Sequence, residues 1–375
     1  MLIKNGLVFS DKNVFEPLSV IIDNGLITGI LPGDAVTEYS GEVLDASGCY
    51  VLPGLCDVHL HGAAGADICD GEMESIKRIA EYELSQGVTS ICPATMTLPD
   101  ARLIKILKTV SGYQSGRKET ADIVGIHLEG PFISHKKKGA QKEEYIQMPD
   151  ADKLMYWQDI SGGMIRLVTI APELPGAVKC ISECKRCMRF SLGHTICDYD
   201  TARAAFDAGA DHVTHLYNAM MPFDHREPGL IGAAFDLKDR YTELICDGVH
   251  ISPTAVRTAF EMINFDRLVL ISDSMEATGM ADGKYHLGGQ RVNVTGNKAI
   301  LDDGTIAGSV TSLYKCMLKA VDLGIPLESA VAAATINPCR SIGIDSDRGS
   351  IEKGKKAHFV LLDKNDLSIK RVIKE

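Results

Sequence analysis

The sequence predicts an α/β protein, a (β/α)8 TIM barrel carrying a small β-sandwich domain built from both chain termini. Three observations predict it. From Tyr50 to Ser272 short apolar stretches alternate with amphipathic ones, which is the grammar of a parallel α/β architecture. Eight strand candidates can be counted in that stretch, the number that closes a barrel. Before and after it the chain turns to short strands separated by turn residues, which suits a sheet made of both ends.

Taken in order, residues 1–50 hold the strand candidates 7–9, 19–22 and 26–31, and Asp23-Asn24-Gly25 reads as a hairpin turn. The barrel is expected over 51–345. Its strand candidates are 50–58, 89–93, 123–128, 165–171, 190–193, 212–214, 243–246 and 268–272. Helical stretches lie between them, among them 72–86, 101–110 and 201–208. An open, doubly wound sheet is the alternative, but no Gly-rich dinucleotide fingerprint follows the first strand. After the eighth strand, 288–297 reads as an inserted hairpin, and 309–323 and 327–334 as helices. The tail, 346–375, returns to strands at 358–362 and 369–372 and completes the small β domain.

Composition bounds the function. The 375 residues are 24% charged and 45% hydrophobic, ordinary for a globular protein, and the net charge of −11 argues against a nucleic-acid partner. The opening Met1-Leu2-Ile3-Lys4-Asn5-Gly6 shows no apolar leader, and no apolar run is long enough to span a bilayer. No membrane partner is expected. Eleven scattered cysteines do not form a disulfide framework, so a reducing cytoplasm is expected. Cys180, Cys184 and Cys187 have the spacing of an iron–sulfur triad. They also fall on one face of a helix expected over 177–190, where buried thiols act as small hydrophobes, and that reading is preferred.

The chemistry is expected where barrels place it, at the C-terminal ends of strands. The first strand ends in Asp57-Val58-His59-Leu60-His61-Gly62, the third in Glu129, the fifth in Gly193-His194-Thr195, the sixth in Thr214-His215, and the eighth in Ser272-Asp273. Glu129 alone could be an ion pair or a helix cap. A lone His-x-His occurs by chance. Four histidines and two carboxylates at five strand ends are hard to explain as core, and the donor set suits zinc, iron, cobalt or manganese. Lys136-Lys137-Lys138 is read as a solvated loop, and Asp70, Glu72 and Glu74 as helix-start acids favoured by the dipole.

Several longer motifs carry a resemblance. Pro53-Gly54-Leu55-Cys56-Asp57-Val58-His59-Leu60-His61-Gly62 resembles the first-strand motif of the amidohydrolase superfamily. His127-Leu128-Glu129-Gly130-Pro131-Phe132, Thr214-His215-Leu216-Tyr217-Asn218-Ala219-Met220, Arg226-Glu227-Pro228-Gly229 and Asp247-Gly248-Val249-His250 resemble the N-acetylglucosamine-6-phosphate deacetylase family within it. The resemblance implies metal-dependent hydrolysis of a phosphosugar amide, in amino-sugar catabolism or recycling. The alternatives are a galactosamine-phosphate substrate or a catalytically silent sugar-phosphate binder. It implies Glu129, His194 and His215 as ligands of the main divalent metal. Zinc is expected first, then iron, manganese or cobalt. His59 and His61 would hold a second metal, with Glu129 bridging, so one or two ions per subunit are expected. The fourth strand offers no lysine for carbamylation. Asp273 is implied as the proton shuttle. Ala140, Gln141, Asn218, Ala219, Arg226, Asp247, Gly248, Val249, His250, Ile306, Ala307 and Gly308 are implied as substrate contacts, with Arg226 reaching into the partner of a homodimer. The family carries histidine where this chain has Gln141.

Overall fold

The computed structural model describes residues 1–33, 35 and 39–375. Eight parallel strands curl into the barrel. They are Leu55–Asp57, Val88–Ile91 continued by Ala94–Thr95, Asp122–Ile123 continued by Ile126–Glu129, Ile165–Ile170, Arg189–Leu192, His212–Val213, Tyr241–Ile245 and Leu268–Ile271. Each pairs with the next in parallel. Closure between the eighth and first strands falls to single bonds: Asp273 N–H donates to the His59 carbonyl (2.9 Å) and His61 N–H to the Ser274 carbonyl (2.8 Å). The closing seam therefore lies among the residues expected to do chemistry.

A helix follows every strand. The first, Met73–Ser85, buries Ile76, Ile79, Ala80 and Glu83, an i, i+3, i+4, i+7 stripe laid against the sheet. Burying each isoleucine is worth about 1.5–3 kcal/mol, which exceeds the helix's own marginal stability. Helix Ala177–Cys184 places Cys180 and Cys184 in the core and leaves Cys187 exposed beyond its end, so the three thiols do not converge. The expected hairpin at 288–297 is a three-stranded antiparallel sheet, Gly283–Leu287, Gln290–Thr295 and Lys298–Leu301, folded over the barrel mouth.

The two chain ends join in one mixed sheet, in the order 369–374, 358–363, 49–53, 7–9, 15–23, 2–4, 43–45, with Leu26–Pro32 on the edge of 15–23. The sheet folds over a core of its own that includes Ile3, Val20, Ile22, Val51, Phe359 and Leu361. One expectation changes here. The stretch read as a single first strand, 50–58, is two strands: Cys49–Pro53 belongs to the mixed sheet and Leu55–Asp57 to the barrel. Gly54 is the joint. A Cβ at this position would lie 2.2 Å from the Thr89 hydroxyl oxygen, so only glycine lets the chain cross so close to the second strand.

Candidate metal centre

The site is built from residues that end barrel strands or follow directly after them. Glu129 closes the third strand, and Gly130 (φ +87°) turns the chain away at once; a Cβ there would sit 2.1 Å from the Thr97 hydroxyl. His194, His215 and Asp273 follow the fifth, sixth and eighth strands in left-handed backbone, at φ +48°, +29° and +49°. Non-glycine residues held there cost about 1–3 kcal/mol each, and such strain concentrates at functional sites.

The four histidines expected from the sequence converge on Glu129. His194 Nε2 and His215 Nε2 lie 3.2 Å from its Oε1 and 3.1 Å from each other. His59 Nε2 lies 3.3 Å from Oε1, and His61 Nε2 lies 3.4 Å from Oε2. Asp273 Oδ1 stands 3.3 Å from His61 Nε2 and 3.8 Å from His59 Nε2. All are buried.

The outer ring nitrogens fix the inner ones. His61 Nδ1 donates to the Ala94 carbonyl (3.0 Å) and His194 Nδ1 to the Lys137 carbonyl (2.8 Å). A carbonyl only accepts, so Nδ1 carries the proton and, in the neutral ring, Nε2 presents a lone pair inward. His59 Nδ1 bonds Glu243 (2.9 Å), and His59 Nε2 is buried with no hydrogen-bond partner among the described residues. Nitrogen lone pairs and a shared carboxylate facing one space fit a divalent cation. The candidate ligand atoms form three groups: Glu129–His194–His215 and His59–His61–Glu129, which share Glu129, and His59–His127–Glu243, which shares His59 with the second.

The groups of the cluster shift one another strongly. Burial pushes the Glu129 carboxyl up, but His59, His194 and His215 outweigh it and hold the group far below the usual range. Burial likewise raises Asp273, and the His61 bond and the charge of His59 win, leaving an ionised carboxylate. His59 is drawn down by burial and up, more strongly, by Glu243 and Glu129.

Two further side chains, not expected from the sequence, belong to the cluster. Glu243 lies on the seventh strand and is fully buried. Burial raises its carboxyl, but His59 above all brings it to about 2. His127, pushed to about 3 by burial and by His59, is neutral and bonds the Thr169 hydroxyl (2.8 Å) and the Val58 carbonyl (3.2 Å). The available signal was a carboxylate within the apolar run Leu244-Ile245-Cys246, which needs a buried partner.

The cavity above the cluster is lined by Ala140, Gln141, Asn218, Ala219, His250, Ile306 and Gly308, all expected, and by Met96, Leu287 and Thr305, which were not. Gln141 has both polar ends committed: its Nε2 donates to Glu129 Oε2 (2.6 Å), and its Oε1 accepts from Thr97 N–H (2.6 Å). Asp247 stands behind His250. Its carboxylate accepts from the Val249 and His250 amides (2.9 Å each) and bonds His250 Nδ1 (2.7 Å), while Gly248 makes the turn at φ +77°. Ala307 is buried behind the lining. Arg226 is exposed and outside this cavity. Only its backbone amide is engaged, with Asp224 (2.9 Å), and among the described residues its guanidinium makes no ion pair. The lysine run at 136–138 contributes the Lys137 carbonyl under His194.

The description "Amidohydrolase family" fits residues 50–375. The chain is 36% identical over 367 residues to the N-acetylglucosamine-6-phosphate deacetylase of Bacillus subtilis (strain 168), covering 96% of this chain and 93% of that one. It is 35% identical to the N-acetylgalactosamine-6-phosphate deacetylase of Escherichia coli O157:H7, covering 91% and 89%. A mutant N-acetyl-D-glucosamine-6-phosphate deacetylase from Mycobacterium smegmatis, solved with N-acetyl-D-glucosamine-6-phosphate, superposes with a TM-score of 0.92 at 32% identity, over 100% of this chain and 97% of that one.

Proposed function

The chain belongs to the amidohydrolase family as a deacetylase of phosphorylated N-acetylhexosamines, and we propose that its substrate is N-acetylglucosamine 6-phosphate, released as glucosamine 6-phosphate and acetate. The observation that carries the reading is the buried convergence of four imidazoles on Glu129, with Asp273 facing the same space and a cavity opening above it. In this reading Glu129, His194 and His215 hold a divalent metal, zinc first among the candidates, and His59 and His61 hold a second beside the same carboxylate. Such an ion polarises an amide carbonyl and lowers the pKa of water toward neutrality.

The chain supplies the rest. Asp273, ionised and buried, takes the proton from the attacking water and passes it to the departing nitrogen; one group serves both steps because they are sequential. His250, braced by Asp247, and Asn218 meet the sugar. Arg226, exposed and without an ion pair among the described residues, offers a planar fork suited to a phosphate in the site of a second subunit.

The epimer preference rests on the glucosamine-specific relatives at 36% and 32% identity, set against one galactosamine-specific relative at 35%. Steady-state kinetics on both phosphosugars test it. The reading expects the higher kcat/KM for the glucosamine epimer, and a raised KM for the phosphorylated sugar in Arg226→Ala. A preference for the galactosamine epimer would reverse the assignment. A fully active monomer would remove Arg226 from any partner's site.

A further inference from the structure

Glu243 lies beneath the metal cluster, on the seventh strand, and touches no space a substrate could reach. One oxygen, Oε2, is nevertheless bonded twice into the site. It takes His59 Nδ1 at 2.9 Å and the backbone amide of His215 at 3.1 Å. The other, Oε1, has no hydrogen-bond partner among the described residues and faces His212 Nε2 at 3.6 Å. A single carboxylate thus ties a side chain of the His59–His61–Glu129 group to the backbone of a residue in the Glu129–His194–His215 group.

We propose that Glu243 is the positioning residue of the metal centre, binding its two halves into one unit. The inference rests on the reading of His59 and His215 as metal ligands. The chemistry is that of an outer carboxylate on a ligating histidine. As an acceptor it keeps the proton of His59 on Nδ1, turns the Nε2 lone pair toward Glu129, and makes the ring a better donor to a cation. Its bond to the His215 amide pins a residue whose backbone stands in the left-handed region at φ +29°. This accounts for a cost otherwise unexplained. A fully buried carboxylate in the middle of a barrel strand is expensive, and replacing it with a hydrophobe would be the simpler core.

The test is metal binding, read without activity. Metal-free full-length protein is titrated with zinc in competition with a chromophoric chelator. In Glu243→Gln, which keeps the volume, the weaker zinc dissociation constant should rise about 10–100-fold, the usual cost of losing an outer-shell partner. The melting curve confirms the fold. Unchanged constants for both ions in a folded Glu243→Gln protein would overturn the role and leave the two-ion reading standing. One bound ion in wild type, weakened in the variant, would end the two-ion reading and leave the role standing. A second measurement needs no variant. In zinc-loaded wild type labelled with nitrogen-15 histidine, His59 should carry its proton on Nδ1, and a proton on Nε2 would overturn the proposal.

Discussion

Asp273 is the residue on which the proposed chemistry turns. Its carboxylate is held ionised because His61 and His59 outweigh the burial that would otherwise neutralise it. Asp273→Asn keeps the shape and removes the proton acceptor. Turnover should fall by roughly 10²–10⁴-fold while bound metal stays the same, as measured by acetate release and metal analysis. A variant of near-normal rate would exclude the role. The residues that ring this aspartate were legible in the sequence because each ends, or directly follows, a strand and interrupts an apolar run: His59, His61, Glu129, His194 and His215. Glu243 was not. It sits inside a strand rather than at its end, and what links it to the site is a contact with His59, 184 positions away in the chain. Gln141 was legible as a cavity residue, but its bond to Glu129 was not, since nothing in the order of residues tells which way an amide points.

At the scale of elements, helix Met73–Ser85 shows how a periodic pattern can carry an exception. Its apolar stripe ends on Glu83, fully buried, with neither carboxyl oxygen bonded to a partner among the described residues. Burial, and secondarily Asp57, push this carboxyl well above its usual range, so it is protonated in the folded protein. In the unfolded chain it titrates near the ordinary value, about 4.3. From there upward the unfolded state gives up a proton that the native state keeps, so stability drains as pH rises toward the folded pKa. Glu83→Gln removes that loss. The variant's melting temperature should match wild type near pH 4 and exceed it by a margin that grows toward neutrality. A constant difference across that range would show that the carboxyl is paired. The eight barrel strands were all legible, because strands buried on both faces read as continuous apolar runs. The break at Gly54 carried its own signal, the turn dipeptide Pro53-Gly54, but the apolar residues on both sides of it read together as one strand.

The barrel and the small sheet are fastened together by a buried polar knot. Asp122, at the foot of the third barrel strand, takes Lys374 at 2.8 Å and Arg348 at 3.3 Å from the C-terminal segment. Burial raises its carboxyl, and these two cations outweigh that and hold it low. The small sheet is thereby fixed to the barrel end opposite the metal centre, leaving the mouth to the site and the inserted three-stranded sheet. Among the described residues no helix is long and apolar enough to cross a membrane. At the mouth, the proposed function requires that the imidazoles and Glu129 hold a divalent ion and that hydrolysis depend on it. The most direct measurement is acetate release from N-acetylglucosamine 6-phosphate by metal-free protein during stepwise return of zinc, with His194→Ala alongside. Release should be absent at the start, rise with bound ion, and stay near zero in the variant, which should hold less metal. Full turnover by the metal-free protein, or by His194→Ala, would contradict the account.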